Sequence, residues 1–247
     1  MIPAFDAERT LAKVVRRIPR GLPLHGIVVV NDGSRDATSE VARELAADDS
    51  RLQLVDLPHN VGYGGAVKHG LRRLLELDVD VVACLHADGQ YAPEELPTLL
   101  AELRRRELDL LQGSRMARGT ALVGGMPVYK YVAGRMLTAL ENRVLGLRMT
   151  DYHSGYVLFG RRALTRVPFL RLSDSFDFDL EMIAAARAVG LAVGEHPIPT
   201  HYGDEVSHLK LVPYGLRVLR VMFNYVTGHY HRLERADRFQ ANGGERA

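Results

Sequence analysis

A carboxylate and a glycine follow the first strongly apolar run of the chain. Asp32 and Gly33 stand just after residues 27–30, which read Ile-Val-Val-Val. A carboxylate at the carboxyl end of a strand can accept hydrogen bonds from a base N–H or a ribose hydroxyl, and glycine lets a ligand approach the backbone. The same residues are typical of an ordinary turn. The pattern therefore indicates either a nucleoside-binding turn or a simple chain reversal.

A second group of polar side chains ends the apolar run 79–85. His86, Asp88 and Gln90 alternate there, and alternate residues at a strand end face the same side. Such a group could hold a cation that bridges two phosphates. Mg²⁺ and Mn²⁺ prefer oxygen ligands and need few protein contacts when phosphates supply the rest, while imidazole suits Mn²⁺ better. The alternative is a solvent-exposed turn with a capping aspartate.

Glycines are also concentrated in residues 60–66, just before a predicted helix that has Lys68 in its first turn. A turn of this kind can cradle a phosphate, because the N–H groups at a helix N-terminus point toward an anion. The segment matches neither the Walker pattern nor the dinucleotide fingerprint. A close-packed turn between strand and helix explains Gly62 and its neighbours equally well.

Acidic residues alternate with aromatic residues in the segment 174–181, ahead of an alanine-rich helix. Asp179 and Glu181 lie at the start of that helix. A carboxylate within hydrogen-bond reach of an attacking hydroxyl can act as a general base. An acid at this position can instead cap the helix and complement its dipole.

Short β-branched runs that alternate with helical patterns must position these side chains. The alternation is typical of βαβ units, so we predict an α/β fold with a mostly parallel sheet. Residues 1–5 resemble the end of a strand that is either very short or begins upstream of Met1. Further strands are predicted at 27–30, 52–57, 79–85, 108–112, 156–159 and 191–197, and helices up to 47 and at 66–77, 93–106, 128–145, 179–189 and 211–231.

The composition limits the possible partners and compartment. The 247 residues suit one large domain, and the formal net charge of +2 does not favour nucleic acid as a partner. The single cysteine, Cys84, rules out an internal disulfide and fits a reducing compartment. The chain has neither a run of roughly 18 apolar residues nor a signal-peptide pattern at its start, which predicts a cytoplasmic protein.

In their order along the chain, these motifs resemble those of the family 2 glycosyltransferases, in particular the dolichol-phosphate mannose synthase-like branch. Residues 2–6 resemble the opening Ile-Pro-Ala-Tyr-Asn-Glu of the family, and residues 29–34 resemble its Asp-Asp-Gly-Ser signature. Residues 60–66 resemble the glycine turn, and residues 86–90 resemble the Asp-X-Asp metal motif. The match continues at 113–115, 151–156 and 178–181 and covers nearly the whole chain.

The resemblance implies a type A glycosyltransferase fold, in which a Rossmann-like sheet flanked by helices binds a UDP- or GDP-sugar at its carboxyl edge. It implies Mn²⁺ or Mg²⁺ on the diphosphate, held by Asp88 with Gln90 and His86. Asp179 is the expected catalytic base, ahead of Asp151 and Glu181, in an inverting transfer. The residues expected to bind the donor are Pro3, Ala4, Phe5, Asp6, Asp32, Gly33, Gly62, Lys68, Ala87 and Arg115.

The sequence departs from the family pattern at four places. The family's glutamate after the opening motif is Ala7, the first aspartate of its signature is Asn31, and the first aspartate of its metal motif is His86. Relatives that use lipid phosphates carry an arginine before a Ser-Lys pair, whereas residues 202–208 contain two carboxylates. A phosphate prefers a guanidinium, so a small hydroxylated acceptor stays open beside a polyprenyl phosphate.

The resemblance divides the chain into a nucleotide-sugar glycosyltransferase domain at 1–210, an amphipathic helix at 211–234 and a disordered tail at 235–247. The helix is expected to pack on its own domain, on a twin subunit or on a membrane surface, which would put the protein at the inner face of the membrane. We predict a metal-dependent hexosyltransferase. The alternatives are a catalytically silent nucleotide-sugar binding protein and, less favoured, a sugar nucleotidyltransferase.

Overall fold

The computed structural model describes residues 1–117, 119, 128–199 and 211–243. Strands and helices alternate through most of this part of the chain. The strands are β1 (Ile2–Ala4), β2 (Ile27–Asn31), β3 (Leu52–Asp56), β4 (Val81–Cys84), β5 (Leu110–Ser114), β6 (Val157–Gly160) and β7 (Val193–Pro197). The helices are α1 (Leu11–Arg16), α2 (Thr38–Asp48), α3 (Tyr63–Leu75), α4 (Leu96–Arg105), α5 (Val128–Leu145), α6 (Arg161–Arg166), α7 (Phe178–Ala188), α8 (Leu211–Val226) and α9 (His229–Gly243).

The strands form two hydrogen-bonded groups, mostly parallel, that meet where β1 lies beside β4. β1, β2 and β3 pair in parallel, and a second group has the order β4-β6-β5-β7. The Leu85 N–H donates to the Met1 carbonyl oxygen at 3.0 Å, which joins β4 to β1. β6 runs antiparallel to β4 and β5, and β7 is parallel to β5. The predicted α/β fold with a mostly parallel sheet is confirmed.

The apolar run of strand β2 fits the position of that strand between two layers of the core. All five of its residues are buried, as expected for a strand covered on both faces. Val28 and Val30 belong to one hydrophobic cluster, and Ile27 and Val29 belong to another on the opposite side of the sheet. Side chains of a strand alternate between the two faces, so β2 contributes to both layers. Its carboxyl end is fixed between them.

The C-terminal helix is shorter than predicted and is followed by another helix. The apolar pattern predicts one helix over 211–231, but α8 ends at Val226 and α9 begins at His229. Gly228 lies between them with φ 72°, a left-handed conformation that ends helices. Tyr230 on α9 is buried, and its hydroxyl donates to Glu181 on α7 at 2.9 Å. Helix α9 therefore includes residues 235–243 of the tail predicted to be disordered; 244–247 lie outside the described residues.

Helix α8 has apolar side chains on two sides. Tyr214, Val218 and Met222 are buried in the core with α7, so the predicted contact with the domain is formed. The other apolar side of α8 points away from the core. Its residues are exposed by 49–72% of their surface: Leu216, Leu219, Phe223 and Val226.

The backbone at Gly155 lies against the His86 side chain at the carboxyl edge of the sheet. A Cβ atom added to Gly155, just before β6, would lie 1.9 Å from Nε2 of His86. The imidazole of His86 thus occupies the space that any other residue at 155 would need. Position 155 must be glycine because His86 leaves no room for a Cβ atom there.

We expect Gly155→Ala to displace the His86 ring and to lower the free energy of unfolding by about 1–3 kcal/mol, the usual cost of overpacking. Chemical denaturation measures this change. Gly134→Ala is the matched control: nothing lies within 4 Å of an added Cβ there, and alanine favours the interior of α5. Equal stability of Gly155→Ala and the wild type would contradict the contact.

Candidate active site

The loops after β1 and β2 are held together by hydrogen bonds. The Asp32 N–H donates to the Ala4 carbonyl oxygen at 2.8 Å, so Pro3 and Ala4 of β1 lie beside the turn that contains Asp32. Asp6 has φ 48°, and its carboxylate accepts the Arg35 N–H at 2.9 Å. The predicted donor-binding residue Asp6 therefore closes the loop, while the adjacent Phe5 is 43% exposed.

Asp32 is a buried carboxylate at the centre of this edge. Its Oδ1 accepts the Val61 N–H at 2.7 Å. Burial raises the pKa of Asp32, and the N–H groups of Val61 and Gly62 oppose this shift. The side chain is thus held by the glycine-rich turn that begins at Asn60.

The asparagine that replaces the family's aspartate has a structural partner. The Asn31 side-chain N–H donates to Asp56 Oδ1 at 2.7 Å, and its Oδ1 accepts the Ser34 N–H at 3.2 Å. An aspartate at position 31 would place a second carboxylate against Asp56, and like charges repel. Asn31 therefore links β2 to β3 and shapes the turn after β2.

The predicted phosphate-binding turn is packed against another part of the chain. Cβ atoms added to Gly33 and Gly62 would lie 2.4 Å from backbone atoms of His59 and Asp174, respectively. Lys68 is buried, and its ammonium donates to the Leu172 carbonyl oxygen and to Asp174. These contacts give Gly33, Gly62 and Lys68 structural roles. Their predicted contacts with a donor stay predictions.

The histidine of the metal motif is turned toward aromatic side chains. The ring centroid of His86 lies 5.1 Å from that of Tyr63 and 5.4 Å from that of Tyr91, and Nε2 is 3.1 Å from the Tyr63 hydroxyl oxygen. Burial lowers the pKa of His86; the charge of Asp88 acts to raise it and that of Arg115 acts to lower it. The imidazole is therefore neutral near pH 7.

Asp88 lies in the turn after β4, next to Ala87. Its Oδ1 accepts the backbone N–H of Gln90 at 3.0 Å, and the residue is partly exposed. No group of three His, Cys, Asp or Glu side chains suited to a metal ion occurs among the described residues. A hard cation at this turn would need a ligand's oxygens to complete its shell, as Mg²⁺ and Mn²⁺ do on nucleotide phosphates. The carboxylate of Asp88 and the neutral His86 fit that arrangement.

Arg115 and Asp151 form a buried, two-pronged ion pair. The guanidinium donates to the two carboxylate oxygens at 2.8 and 3.1 Å and to the His153 carbonyl oxygen at 2.9 Å. Burial acts to raise the pKa of Asp151, but the charge and hydrogen bonds of Arg115 outweigh it and the pKa is lowered. Asp151 therefore stays ionised and orients Arg115, whose charge also reaches His86.

The two remaining candidate bases differ in their partners. Both oxygens of Glu181 accept hydrogen bonds, from the Ser173 N–H and from the Tyr230 hydroxyl. Asp179 Oδ2 accepts the Tyr63 hydroxyl at 2.7 Å, while its buried Oδ1 has no hydrogen-bond partner in the described part of the chain. Burial raises the pKa of Asp179 to about 7. Of the three predicted bases, Asp179 best suits proton transfer near neutral pH.

Other ionisable groups around Asp179 are neutral near pH 7. Burial raises the pKa of Tyr63 and Tyr214, and it raises that of the Cys84 thiol to about 12. Neither tyrosine is among the predicted site residues. Tyr63 had one signal, a large aromatic residue between two glycines. Tyr214, whose hydroxyl lies 2.9 Å from His153 Nδ1, belongs to the predicted amphipathic helix, where its position gave no sign of a polar contact.

Comparison with solved structures gives the fold. Glucosyl-3-phosphoglycerate synthase from Mycobacterium tuberculosis, in complex with Mn²⁺, UDP-glucose and phosphoglyceric acid, has a TM-score of 0.66 and 19% identity, and the match covers 91% of this chain and 77% of that chain. The complex of the same enzyme with phosphoglyceric acid has a TM-score of 0.68 at 20% identity, covering 91% and 78%. The chain therefore shares the type A glycosyltransferase fold of these structures, as predicted.

Sequence relatives extend the match. The polyprenol monophosphomannose synthase of Mycolicibacterium smegmatis is 30% identical over 96% of this chain and 88% of its own length. The undecaprenyl-phosphate mannosyltransferase of Micrococcus luteus is 30% identical over 80% and 81%. The low-salt glycan biosynthesis hexosyltransferase Agl6 of Haloferax volcanii is 32% identical over 93% of this chain, which spans 54% of that relative's length.

The family model "Glycosyl transferase family 2" matches residues 1–167, the part that carries β1 to β6 and the turns after β1, β2 and β4. This match spans more than half of the chain, and the relatives agree with it. The predicted resemblance is confirmed: the chain belongs to glycosyl transferase family 2.

Proposed function

We propose that this glycosyltransferase moves a hexose from a UDP- or GDP-sugar, with Mn²⁺ or Mg²⁺, to a polyprenyl phosphate or a small hydroxylated acceptor. One observation carries the proposal: Asp32, Asp88 and Arg115 follow β2, β4 and β5 at the same edge of the sheet. Ligands of open α/β sheets bind at that edge. The solved relative from Mycobacterium tuberculosis supports the donor class, since it binds UDP-glucose with Mn²⁺.

On the donor side, Asp32 and the β1 residues Pro3 and Ala4 would line the nucleoside, next to Phe5 and Ala87. Asp88, with Gln90 and His86, would hold the cation. When bound, the metal would offset negative charge on the departing diphosphate. Arg115 supplies a second, fixed positive charge, because Asp151 holds its guanidinium in one orientation.

The acceptor decides how Asp179 is used. A hydroxyl must lose its proton as it attacks, and a buried carboxylate with a pKa of about 7 suits that task. A lipid phosphate has a second pKa of about 6 and is mostly ionised at neutral pH, so it needs little help from a base. The names of the relatives from Micrococcus luteus and Mycolicibacterium smegmatis support a polyprenyl phosphate. The unbonded oxygen of Asp179 supports a hydroxylated acceptor.

A lipid acceptor would bring the protein to a membrane surface. The exposed side of α8 continues onto the neighbouring α5, which exposes Val128, Val132 and Met136. Arginines 135, 143 and 220 are exposed on the same two helices, whose acid, Glu141, is buried. An apolar face flanked by cations suits the surface of an anionic bilayer at the cytoplasmic side. A second copy of the chain is the other candidate for covering this face.

None of the helices in the described part of the chain has the length and apolar character that crossing a bilayer requires. The proposed membrane contact is therefore one of helices that lie on the surface. The buried free thiol of Cys84 is compatible with the reducing cytoplasm.

The metal assignment is tested with Asp88→Ala. We expect Mn²⁺-dependent transfer to fall by about 100-fold or more, because the carboxylate would no longer fix the cation on the diphosphate. Calorimetry should also show that Mn²⁺ no longer tightens UDP or GDP binding. Asp48→Ala, an exposed acid on α2, is the control and should keep both properties. Full turnover of Asp88→Ala would remove Asp88 from the site.

The role of Asp179 is tested by the pH dependence of transfer to each kind of acceptor. With a hydroxyl acceptor, kcat should rise as pH increases through about 7, where Asp179 ionises, and Asp179→Asn should lower it by about 10²–10⁴-fold. With a polyprenyl phosphate, the same variant should lose little. The control is Asp109→Asn, because Asp109 is another buried acid and its Oδ2 accepts the Ala192 N–H. With a hydroxyl acceptor, a kcat that does not change with pH and an Asp179→Asn variant that stays active would contradict this assignment.

Stability gives an independent check on Asp179. Its pKa in the folded state lies above the value of about 3.9 expected for an unfolded chain. Its contribution to stability is therefore complete below pH 4 and is lost as pH rises through about 7. As pH rises from 5 to 8, the free energy of unfolding, measured by chemical denaturation, should fall less for Asp179→Asn than for the wild type.

The membrane contact is tested by sedimentation with vesicles. We expect binding to vesicles rich in phosphatidylglycerol, weak binding to phosphatidylcholine alone, and a loss of about tenfold or more with Phe223→Glu, which removes apolar contact and adds a repelled charge. Leu170→Glu changes an exposed leucine outside α5 and α8 and should bind normally. A different result would assign the face to a second copy of the chain: no vesicle binding, and a dimer in light scattering that Phe223→Glu dissociates.

A further inference from the structure

The hydroxyl of Tyr63 lies between two side chains that the proposed function uses. It is 2.7 Å from Asp179 Oδ2 and 3.1 Å from His86 Nε2, with the Cys84 sulfur at 3.8 Å. Asp179 lies in the first turn of α7, whereas His86 follows β4. This phenol is thus the connection between the candidate base and the metal motif.

The turn around Tyr63 is built to hold its ring in place. Cβ atoms added to Gly62 and Gly64 would lie 2.4 Å from the carbonyl oxygens of Asp174 and Ser173. Phe176 stacks on Tyr63, with ring centroids 5.8 Å apart and planes 12° from parallel. The glycines let α3 begin directly against the segment 173–176. That contact explains why glycines flank Tyr63.

The donors and acceptors available fix the direction of the hydrogen bonds that link Asp179, Tyr63 and His86. An ionised carboxylate only accepts hydrogen bonds, so the single phenol proton of Tyr63 goes to Asp179. The phenol oxygen must then accept from His86 Nε2. A neutral imidazole has one N–H, so a proton on Nε2 leaves the lone pair on Nδ1.

We propose that Tyr63 is a positioning residue that orients Asp179 as the base and holds His86 as the Nε2–H tautomer, leaving Nδ1 as the nitrogen that can face a bound cation. The inference rests on the proposed function for the role of Asp179. It adds a residue and a ligating atom that neither the sequence motifs nor the relatives identify. A hydrogen bond from the other ring nitrogen is a common way to fix a metal-binding histidine.

Tyr63→Phe removes the hydroxyl and keeps the ring that stacks on Phe176. Without its hydrogen bond, the ionised form of Asp179 is less stable, so the acidic limb of the pH–rate profile should move upward by about one pH unit. Tyr152→Phe is the matched control, since it removes a buried hydroxyl that donates to Asn142 and should leave the limb unchanged. An unmoved limb in Tyr63→Phe would overturn the role at Asp179.

The tautomer is measured without turnover. Ring carbon and nitrogen NMR shifts of labelled histidine at pH 8, with the His86 signals assigned through His86→Gln, should show the Nε2–H form in the wild type and a mixture in Tyr63→Phe. An Nδ1–H ring in the wild type, or identical spectra in the two proteins, would overturn the proposal. Failure of the wild type to transfer sugar to any acceptor would instead refute the proposed function, and the NMR result would still decide the role of Tyr63.

Discussion

Burial of the Asp179 carboxyl is the constraint on which the arrangement of the site depends. A carboxylate removed from water is costly unless donors compensate it, and within the described residues the compensation comes from the Tyr63 hydroxyl alone. The bond joins residues separated by 116 positions, so α3 and α7 must meet at one place. Glycines at 62 and 64 permit that meeting. The same balance, with burial stronger than hydrogen bonding, raises the pKa of Asp179 to about 7.

The other side of the site is organised by opposite charges. Arg115 and Asp151 satisfy each other in a two-pronged pair, which lowers the pKa of Asp151 and makes it a weaker base than Asp179. Two carboxylates on one sheet edge thus have different protonation behaviour because one faces a guanidinium and the other a phenol. An enzyme that must offset leaving-group charge and accept a proton needs this difference.

Local patterns in the sequence were sufficient for the fold. The run Ile27 to Val30 predicted a buried strand because a parallel strand is covered on both faces, and the polar turns after β2 and β4 followed from where those runs end. The order of the motifs identified the family. The break at Gly228 was missed because the apolar spacing continues beyond it, although a glycine in a left-handed conformation ends the helix.

Long-range contacts could not be predicted from spacing. The ion pair of Lys68 was missed because its partner, Asp174, is distant in sequence, and a lysine after glycines has the same local pattern whether it contacts a phosphate or a carboxylate. The fit between Gly155 and His86 is likewise invisible until β4 and β6 are paired. Residues that approach one another only through the sheet, such as Tyr63 and Asp179, needed the structure.

The proposed function requires that a nucleoside diphosphate binds at the carboxyl edge of β1, β2 and β4. A crystal structure of the protein soaked with UDP or GDP and Mn²⁺ tests it most directly. We expect the base beside Asp32 and the diphosphate, with its cation, between Asp88 and Arg115. A nucleotide bound elsewhere, with those three side chains out of contact, would contradict it.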